Sequence, residues 1–382
     1  MELDGHASAS VTPGTDREGA VPIGHRLAQW RKRRGTAAGD LARCSGLAEQ
    51  LITDIEAGRD WVDRHSVLCS LAGGLHLDPL DLTGQPYAPH GEQHATVRAA
   101  AWHLRRHLFQ SAPHTPAVRQ RGRAGLLAAA ENVRDAQATG DEHALALALP
   151  PLLVAADHSV SPEDVDPPYA VAVRNLAYAA AAGLLRRLGY RDLAWSLLHR
   201  ARPAADDGQV VEAEEVRLLT SMGMPAAADR AEQHLAGARS VALLCAAAFA
   251  HASGGQRLHA ERLLDEADRC ASDAAESAEA TVARASSAMQ FGAWDQVLEQ
   301  QQAATMPPAR RADLLLLAAG AWARRGQIGR AVGRLAAAEE AAALYIGLDP
   351  LARELLHALR ARAQGADSAR ELERLAGRFG VT

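Results

Sequence analysis

A glycine recurs at nearly constant intervals through the second half of the chain, and this spacing constrains the fold more than any other feature. Successive glycines are 34, 32, 37 and 34 residues apart, at Gly189, Gly223, Gly255, Gly292 and Gly326. Alanine- and leucine-rich segments separate them, without the alternation of apolar and polar residues that indicates strands. A period of this length predicts helix pairs that bury their apolar faces on neighbouring pairs.

Three copies of this unit share a small-large-small pattern at the fifth, ninth and twelfth positions after the glycine. The residues are Ala194/Leu198/Ala201, Ala260/Leu264/Ala267 and Ala331/Leu335/Ala338. Alanine lets neighbouring helices approach closely, while leucine fills the space between layers. In the second and fourth copies Glu232 and Gln301 replace the leucine. The pattern resembles the tetratricopeptide repeat, which implies two antiparallel helices per repeat stacked into a right-handed superhelix.

We therefore predict a tetratricopeptide-like α-solenoid over residues 117–382. Five repeats are expected across residues 171–345, with a divergent repeat before them at Gly140-Asp141. The final segment, residues 367–382, has the polar outer face expected of a capping helix.

A second helical region lies near the N-terminus, at residues 23–82. Gly35, Gly46 and Gly58 interrupt it in the manner of helix ends and tight turns. Between these turns the apolar residues recur at helical spacing, so five short helices around one core are predicted. The core candidates are Ile23, Leu27, Trp30, Leu41, Leu47, Leu51, Ile52, Ile55, Val67, Leu68 and Leu71.

This stretch resembles the Cro/repressor-like, or XRE, family of helix-turn-helix proteins. The resemblance rests on Leu27 and Arg31 before Gly35, Leu41-Ala42, Gly46, Ile52, Ile55, Glu56-x-Gly58, Leu68-x-x-Leu71-Ala72 and Leu75-x-Leu77-x-x-Leu80. It implies a five-helix DNA-binding domain, predicted at residues 21–84, that places one helix in the major groove. It also implies an internal salt bridge between Arg31 and Glu56.

The resemblance assigns base-reading positions to the start of the third helix, at Glu49, Gln50, Thr53 and Asp54. Gln50 can pair bidentately with adenine, and a glutamate can accept a hydrogen bond from cytosine. Exposed basic residues in the same region are candidates for phosphate contacts. They are Lys32, Arg33, Arg34, Arg43 and Arg59.

The charge balance favours a local DNA contact over a broad one. The chain has a net charge of −5 and a pI near 6.3, and residues 21–84 contain eight basic and eight acidic residues. Two acidic residues, Glu49 and Asp54, also stand where phosphates would approach. The alternative is therefore a protein-interaction adaptor in which the helix-turn-helix is degenerate and the repeats dock a partner protein.

Residues 1–20 lack periodicity and are predicted to be a disordered tail, and residues 85–116 form a linker and connecting helix. We expect a cytoplasmic protein with no membrane contact, because no signal peptide or long apolar run is present. No catalytic constellation or cofactor motif occurs, so an enzyme is not expected. The pair His103 and His107, even with His90 and His94 upstream, has no supporting ligand, and no metal is predicted.

The first helix of each repeat is expected to line a concave ligand groove. Asn175 is the most informative candidate, because its amide can donate to and accept from the backbone of an extended peptide. The two resemblances together imply an all-α transcriptional regulator that binds double-stranded operator DNA, forms a homodimer and senses a signalling peptide or small molecule, as bacterial regulators that join such domains do. The groove candidates are Arg174, Asn175, Tyr178, His251, Trp322 and Arg325.

Overall fold

The structure is a computed structural model that describes residues 21–109, 122–159, 168–201, 209–237, 239–300 and 306–381. Within these ranges the chain forms twenty-one helices and no strand, which confirms the all-α prediction. None of the helices in these ranges combines the length and apolar character that crossing a bilayer requires. The predicted tail at residues 1–20 lies outside the described residues.

Five short helices make up residues 21–84, which we call the head. They are α1 (Ile23–Arg33), α2 (Ala38–Ser45), α3 (Glu49–Glu56), α4 (His65–Gly74) and α5 (Pro79–Thr83). The predicted core is confirmed, because eight of its eleven residues are buried in one cluster. The other three, Trp30, Leu47 and Leu51, are partly buried against that cluster. The three predicted turns are also confirmed, since Gly35, Gly46 and Gly58 have φ values of 63°, 69° and 71°.

The predicted salt bridge inside the head is present and bidentate. Arg31 Nε and Nη2 each donate to a carboxylate oxygen of Glu56 at 2.6 Å, and Arg31 Nη1 donates to the Thr36 carbonyl at 3.0 Å. The Glu56 carboxylate raises the pKa of Arg31. This contact joins α1 to the end of α3 and fixes the direction of α3.

The connecting helix predicted within residues 85–116 is α6 (Glu92–Phe109). The end of that predicted segment, residues 110–116, lies outside the described residues. Farther along the chain come six helix pairs and three closing helices. The first three pairs are α7 (Arg123–Thr139) with α8 (Glu142–His158), α9 (Pro168–Leu188) with α10 (Arg191–Arg200), and α11 (Gln209–Ser221) with α12 (Ala226–Leu235). The next three are α13 (Val241–Ser253) with α14 (Arg257–Cys270), α15 (Ala274–Gln290) with α16 (Trp294–Glu299), and α17 (Pro308–Arg324) with α18 (Ile328–Ala341). The closing helices are α19 (Ala343–Gly347), α20 (Pro350–Arg362) and α21 (Ala366–Phe379).

Every pair turns on a glycine in the left-handed region, as the spacing predicts. The φ values lie between 67° and 88° at Gly140, Gly189, Gly223, Gly255, Gly292 and Gly326. The nine alanine and leucine residues of the repeating pattern are all buried, which confirms that they mediate close helix packing. Gln301, one of the two departures, lies outside the described residues.

The first helices of the six pairs form a closed ring. Each of α7, α9, α11, α13 and α15 contacts the first helix of the next pair, and α17 contacts α7 again. The closure is tight at Gly140, where an added Cβ would lie 2.8 Å from the Ala342 Cβ. Ion pairs join neighbouring helices of the ring, including Arg186 with Glu214 at 2.6 Å.

The head lies on the rim of the ring where the glycine turns are. An added Cβ at Gly189 would come within 2.8 Å of the Gln85 Cβ, and one at Gly223 within 2.9 Å of the Cys69 Cβ. The glycines therefore serve both the left-handed turn and the close approach of the N-terminal region.

Candidate nucleic-acid interface and the cavity behind it

The outer face of α3 carries the four residues predicted to read bases. Glu49 and Gln50 are exposed, whereas Thr53 and Asp54 are partly buried. The opposite face of α3 belongs to the head core, so packing fixes which residues point outward. Glu49 and Gln50, in the first turn of α3, stay exposed with the head docked onto the ring.

Hydrogen bonds along α3 organise this face. Gln50 Nε2 donates to Asp54 Oδ1 at 3.0 Å, and Arg59 Nε donates to the same oxygen at 2.7 Å. These two donors lower the pKa of Asp54, with the bond from Gln50 the larger cause. The Gln50 side chain must therefore leave Asp54 to pair bidentately with a base, while Arg59 can keep the carboxylate neutralised.

The predicted phosphate contacts divide into two groups. Lys32, Arg33 and Arg34 are exposed at the end of α1, and none of them pairs with a carboxylate among the described residues. Arg43 instead pairs with Asp40 inside the head, and Arg59 pairs with Asp54. The unpaired cations at the end of α1 are the better candidates for contacts with an external anion.

On its other side the head is held by Arg324, near the end of α17. Arg324 Nε donates to Asp63 Oδ2 at 2.5 Å, Nη1 to Asp60 Oδ1 at 2.6 Å, and Nη2 to the Trp61 carbonyl at 2.8 Å. Its guanidinium also stacks 3.8 Å from the centre of the Trp61 ring. The Asp63 side chain is only 3% exposed, and Arg64 Nε is its second cationic partner at 3.3 Å.

Arg362 of α20 also contacts the Trp61 ring. Its guanidinium carbon lies 4.7 Å from the ring centre, and Nη2 donates to the Arg59 carbonyl at 2.5 Å. Trp61 itself is buried in the apolar cluster that α17, α18, α20 and α21 form. A residue of the head is thus part of the core of the closing helices. We call Arg324, Arg362, Asp60, Trp61 and Asp63 the docking clamp.

Contacts with α20, α11 and α15 reinforce the clamp. The backbone N–H of Ile23 donates to Glu354 Oε2 at 2.8 Å, so a carboxylate of α20 caps the start of α1. Burial raises the pKa of this carboxyl to about 7. His65 Nε2 lies 2.7 Å from the Thr220 carbonyl oxygen, and burial lowers the pKa of this imidazole to about 4. The Ser66 N–H donates to Gln290 Oε1 at 2.9 Å.

A cavity of about 250 Å³ lies between the head and the ring. Its walls come from three parts of the chain: the α3–α4 connection and α4 of the head, helices α13, α15 and α17, and the segment from residue 349 to 355. Several polar groups on the walls are engaged in the docking contacts, whereas the buried Trp61 Nε1–H has no acceptor among the described residues. The lining includes Trp61, Asp63, His65, Phe249, Val282, Met289, Gln290, Leu316, Leu317, Leu351 and Leu355.

None of the six predicted groove residues lines this cavity. Three of them lie together on α9 and are buried: Arg174 Nε and the Tyr178 hydroxyl both donate to Asp157 at 2.8 Å. Between them, Asn175 is fully buried, and neither atom of its amide has a hydrogen-bond partner among the described residues. The predicted role of Asn175 in binding a peptide stays a prediction.

The other three groove candidates lie in two further places. Trp322 and Arg325 are near the end of α17, where Trp322 faces Arg330 of α18 and Arg325 pairs with Asp295. His251, on α13, is 5% exposed and contacts Glu232 instead of a shared groove. The structure therefore places the six candidates in three separate environments.

Reasoning from the sequence missed the docking clamp, because its residues carry no recognisable motif. Asp63 and Arg324 are 261 positions apart, and Ile23 and Glu354 are 331 apart. Comparison of the chain with family models, with curated proteins and with solved structures found no match.

Proposed function

We propose that this protein is a sequence-specific DNA-binding transcriptional regulator that acts in the cytoplasm. In this proposal the head is a helix-turn-helix domain of the Cro/repressor type, with α3 as its reading helix. The observation that carries it is the outer face of α3, where Gln50 stays exposed at the start of the helix while the opposite face packs into the head core. The cations of α1, Lys32, Arg33 and Arg34, supply phosphate contacts.

We further propose that the six helix pairs are tetratricopeptide-like repeats that control the head. Three observations support this role: the glycine period, the buried alanine and leucine pattern, and the packing of each first helix on the next. The docking clamp then fixes how the head is presented to DNA. A signal acts by changing the balance between docked and released heads.

The cavity behind the head is the site that we propose for a small-molecule signal. Its mostly apolar lining suits a ligand with an apolar body. The volume of about 250 Å³ admits a molecule smaller than a peptide. Because both head and ring form its walls, occupancy of this cavity changes the stability of docking.

A homodimer completes the proposal, because linking two weak heads raises their joint affinity through effective concentration. Large apolar side chains are exposed on α8 and on two helices that pack against it, α6 and α7. They are Trp102, Phe109, Leu127 and Leu147, with exposed fractions of 54%, 82%, 38% and 57%. Exposed apolar side chains of this size support a contact between two copies of the chain.

A second function is supported by one specific observation. Glu49 and Asp54 place two carboxylates on the outer face of α3, and Asp54 holds the Gln50 amide. These features favour a protein-interaction adaptor whose head has lost its affinity for DNA. In that case the repeats and the docked head together present a surface to a partner protein.

Selection of bound fragments from a genomic DNA pool by the purified full-length chain tests the two functions. The regulator predicts enrichment of one sequence motif, and a gel shift with that motif that weakens as salt is raised. The assay includes a Lys32→Ala/Arg33→Ala/Arg34→Ala variant, which should weaken binding to all sequences alike. A chain that is folded and dimeric but enriches no motif and shifts no DNA at low salt would contradict the regulator and leave the adaptor.

A further inference from the structure

Two histidines and one glutamate from three helices converge at the junction of the third and fourth helix pairs. His251 Nε2 lies 2.9 Å from Glu232 Oε1, and His259 Nε2 lies 2.8 Å from the same oxygen. The ligand atoms of the three side chains all fall within 4.8 Å of one another. Glu232 belongs to α12, His251 to α13 and His259 to α14.

Glu232 occupies the position where the repeating pattern has a leucine. In the three regular copies that leucine is buried and fills the space between layers, whereas here the side chain is 48% exposed and turns toward the two imidazoles. A carboxylate at this position lacks the apolar burial that a leucine would provide between the layers. We therefore infer that Glu232 has a role other than stacking of the repeats.

A fourth side chain fixes the orientation of the His251 ring. Gln256, directly before α14, places its carbonyl oxygen Oε1 on His251 Nδ1. A ring whose Nδ1–H donates to this oxygen can offer its Nε2 lone pair to a metal ion, and Nε2 faces Glu232 Oε1 at 2.9 Å.

We propose that Glu232, His251 and His259 bind one divalent transition-metal ion, for which Zn²⁺ is the best match. Two imidazole nitrogens and one carboxylate oxygen are a ligand set that zinc uses, with water at the remaining position. A tetrahedral site with bonds of about 2.1 Å separates ligand atoms by about 3.4 Å, so Glu232 Oε1 and each of the two imidazole nitrogens need to move apart by only about 0.5–0.6 Å. Gln256 acts as the outer partner that fixes the tautomer and ring orientation of His251.

The ion would link the last helix of one pair to both helices of the next pair. Two of its ligands, Glu232 and His259, are partly exposed, so the ion can exchange with solution. Metal binding would thereby stabilise the junction of α12, α13 and α14 in a concentration-dependent way. This role is separate from DNA binding and from the cavity behind the head.

Titration of metal-free, full-length protein with Co²⁺ and then Zn²⁺ tests the proposal. We expect one Co²⁺ per chain with the visible d–d absorption of a tetrahedral or five-coordinate ion, displaced stoichiometrically by Zn²⁺. His259→Asn and Glu232→Gln should each raise the Kd at least about tenfold, as loss of even an outer partner can do. Both residues are partly exposed, so these variants should keep the fold, which circular dichroism checks.

His234→Asn is the matched control. His234 also belongs to α12 and contacts a carboxylate, with Nε2 3.1 Å from Glu215 Oε2, but it belongs to no group of three converging metal-ligand side chains among the described residues. Its Kd should equal that of the unmodified protein. The proposal is overturned by a lack of metal-dependent absorption, by unchanged affinity in both ligand variants, or by loss of binding only in a His90→Asn variant. An imidazolium that bridges Gln256 and Glu232 would then account for the geometry.

Discussion

Arg324→Ala should release the head from the ring without unfolding it. The substitution removes three hydrogen bonds and the stacking contact with Trp61, and it leaves the 3% exposed Asp63 carboxylate with only the longer contact from Arg64 Nε at 3.3 Å. Removing one member of a buried ion pair costs about 3–5 kcal/mol. The cost falls on docking, because the head has a separate core and its own Arg31–Glu56 bridge.

Hydrogen exchange of individual segments measures this release. With each 1.4 kcal/mol equal to a factor of ten, a loss of about 3 kcal/mol should speed exchange of the amides near residues 58–66 roughly 100-fold. Amides in α2 should keep their protection, because the head core is intact. This difference separates release of the head from unfolding of the head.

Arg325→Ala is the matched control for this experiment. The adjacent arginine pairs with Asp295 on the surface, where the two side chains are 44% and 70% exposed. Exposed pairs contribute about 0.2–1 kcal/mol, so exchange near residues 58–66 should change by at most about fivefold. Equal acceleration in both variants, or unchanged exchange in Arg324→Ala, would refute the clamp.

Three further outcomes are expected. Gln50→Ala should weaken binding to the selected motif by about 1–3 kcal/mol but leave binding to random DNA unchanged, as measured by gel shift; equal loss on both would show that Gln50 reads no base. Trp102→Ala/Phe109→Ser should shift the chain toward monomer in analytical ultracentrifugation, and an unchanged sedimentation profile would exclude this face. Glu354 has a folded pKa of about 7 against an ordinary 4.5, so its contribution to stability is full at low pH and is lost as pH rises through that interval. Relative to Glu354→Gln, the unmodified protein should therefore lose ~3 kcal/mol of unfolding free energy between pH 4.5 and 7 in urea titrations, and parallel curves would contradict the assignment.

The sequence predicted the features that depend on local conformation. A turn between packed helices needs a residue that adopts positive φ, so glycines such as Gly189 mark the helix pairs without knowledge of the tertiary structure. The apolar spacing of the head likewise identified its core, and the resemblance to a known family supplied the pair Arg31 and Glu56. In each case the physical requirement acts on residues that lie close together in the sequence or follow a shared pattern.

The clamp and the histidine cluster could not be predicted in this way. Arg324 reads as one more basic residue at the end of an alanine-rich helix, and nothing nearby indicates that Asp63 faces it from the other end of the chain. Glu232 did give a signal, because it departs from the leucine of the repeating pattern. That signal had no interpretation until the fold placed His251 and His259 beside it.

The cavity and the clamp share Trp61 and Asp63, and this overlap determines how a ligand could control DNA binding. The cavity has walls from both head and ring, so it exists only while the head is docked. A ligand that binds there stabilises docking by about 2.7 kcal/mol at one hundred times its Kd. Linkage makes the two effects equal: if the ligand changes the affinity for DNA by some factor, DNA changes the affinity for the ligand by the same factor and in the same direction. Arg324→Ala therefore shows, before any ligand is known, whether a cavity ligand would raise or lower the affinity for DNA. If the released head binds DNA more tightly, a ligand that stabilises docking would inhibit DNA binding. If the released head binds DNA more weakly, that ligand would promote DNA binding.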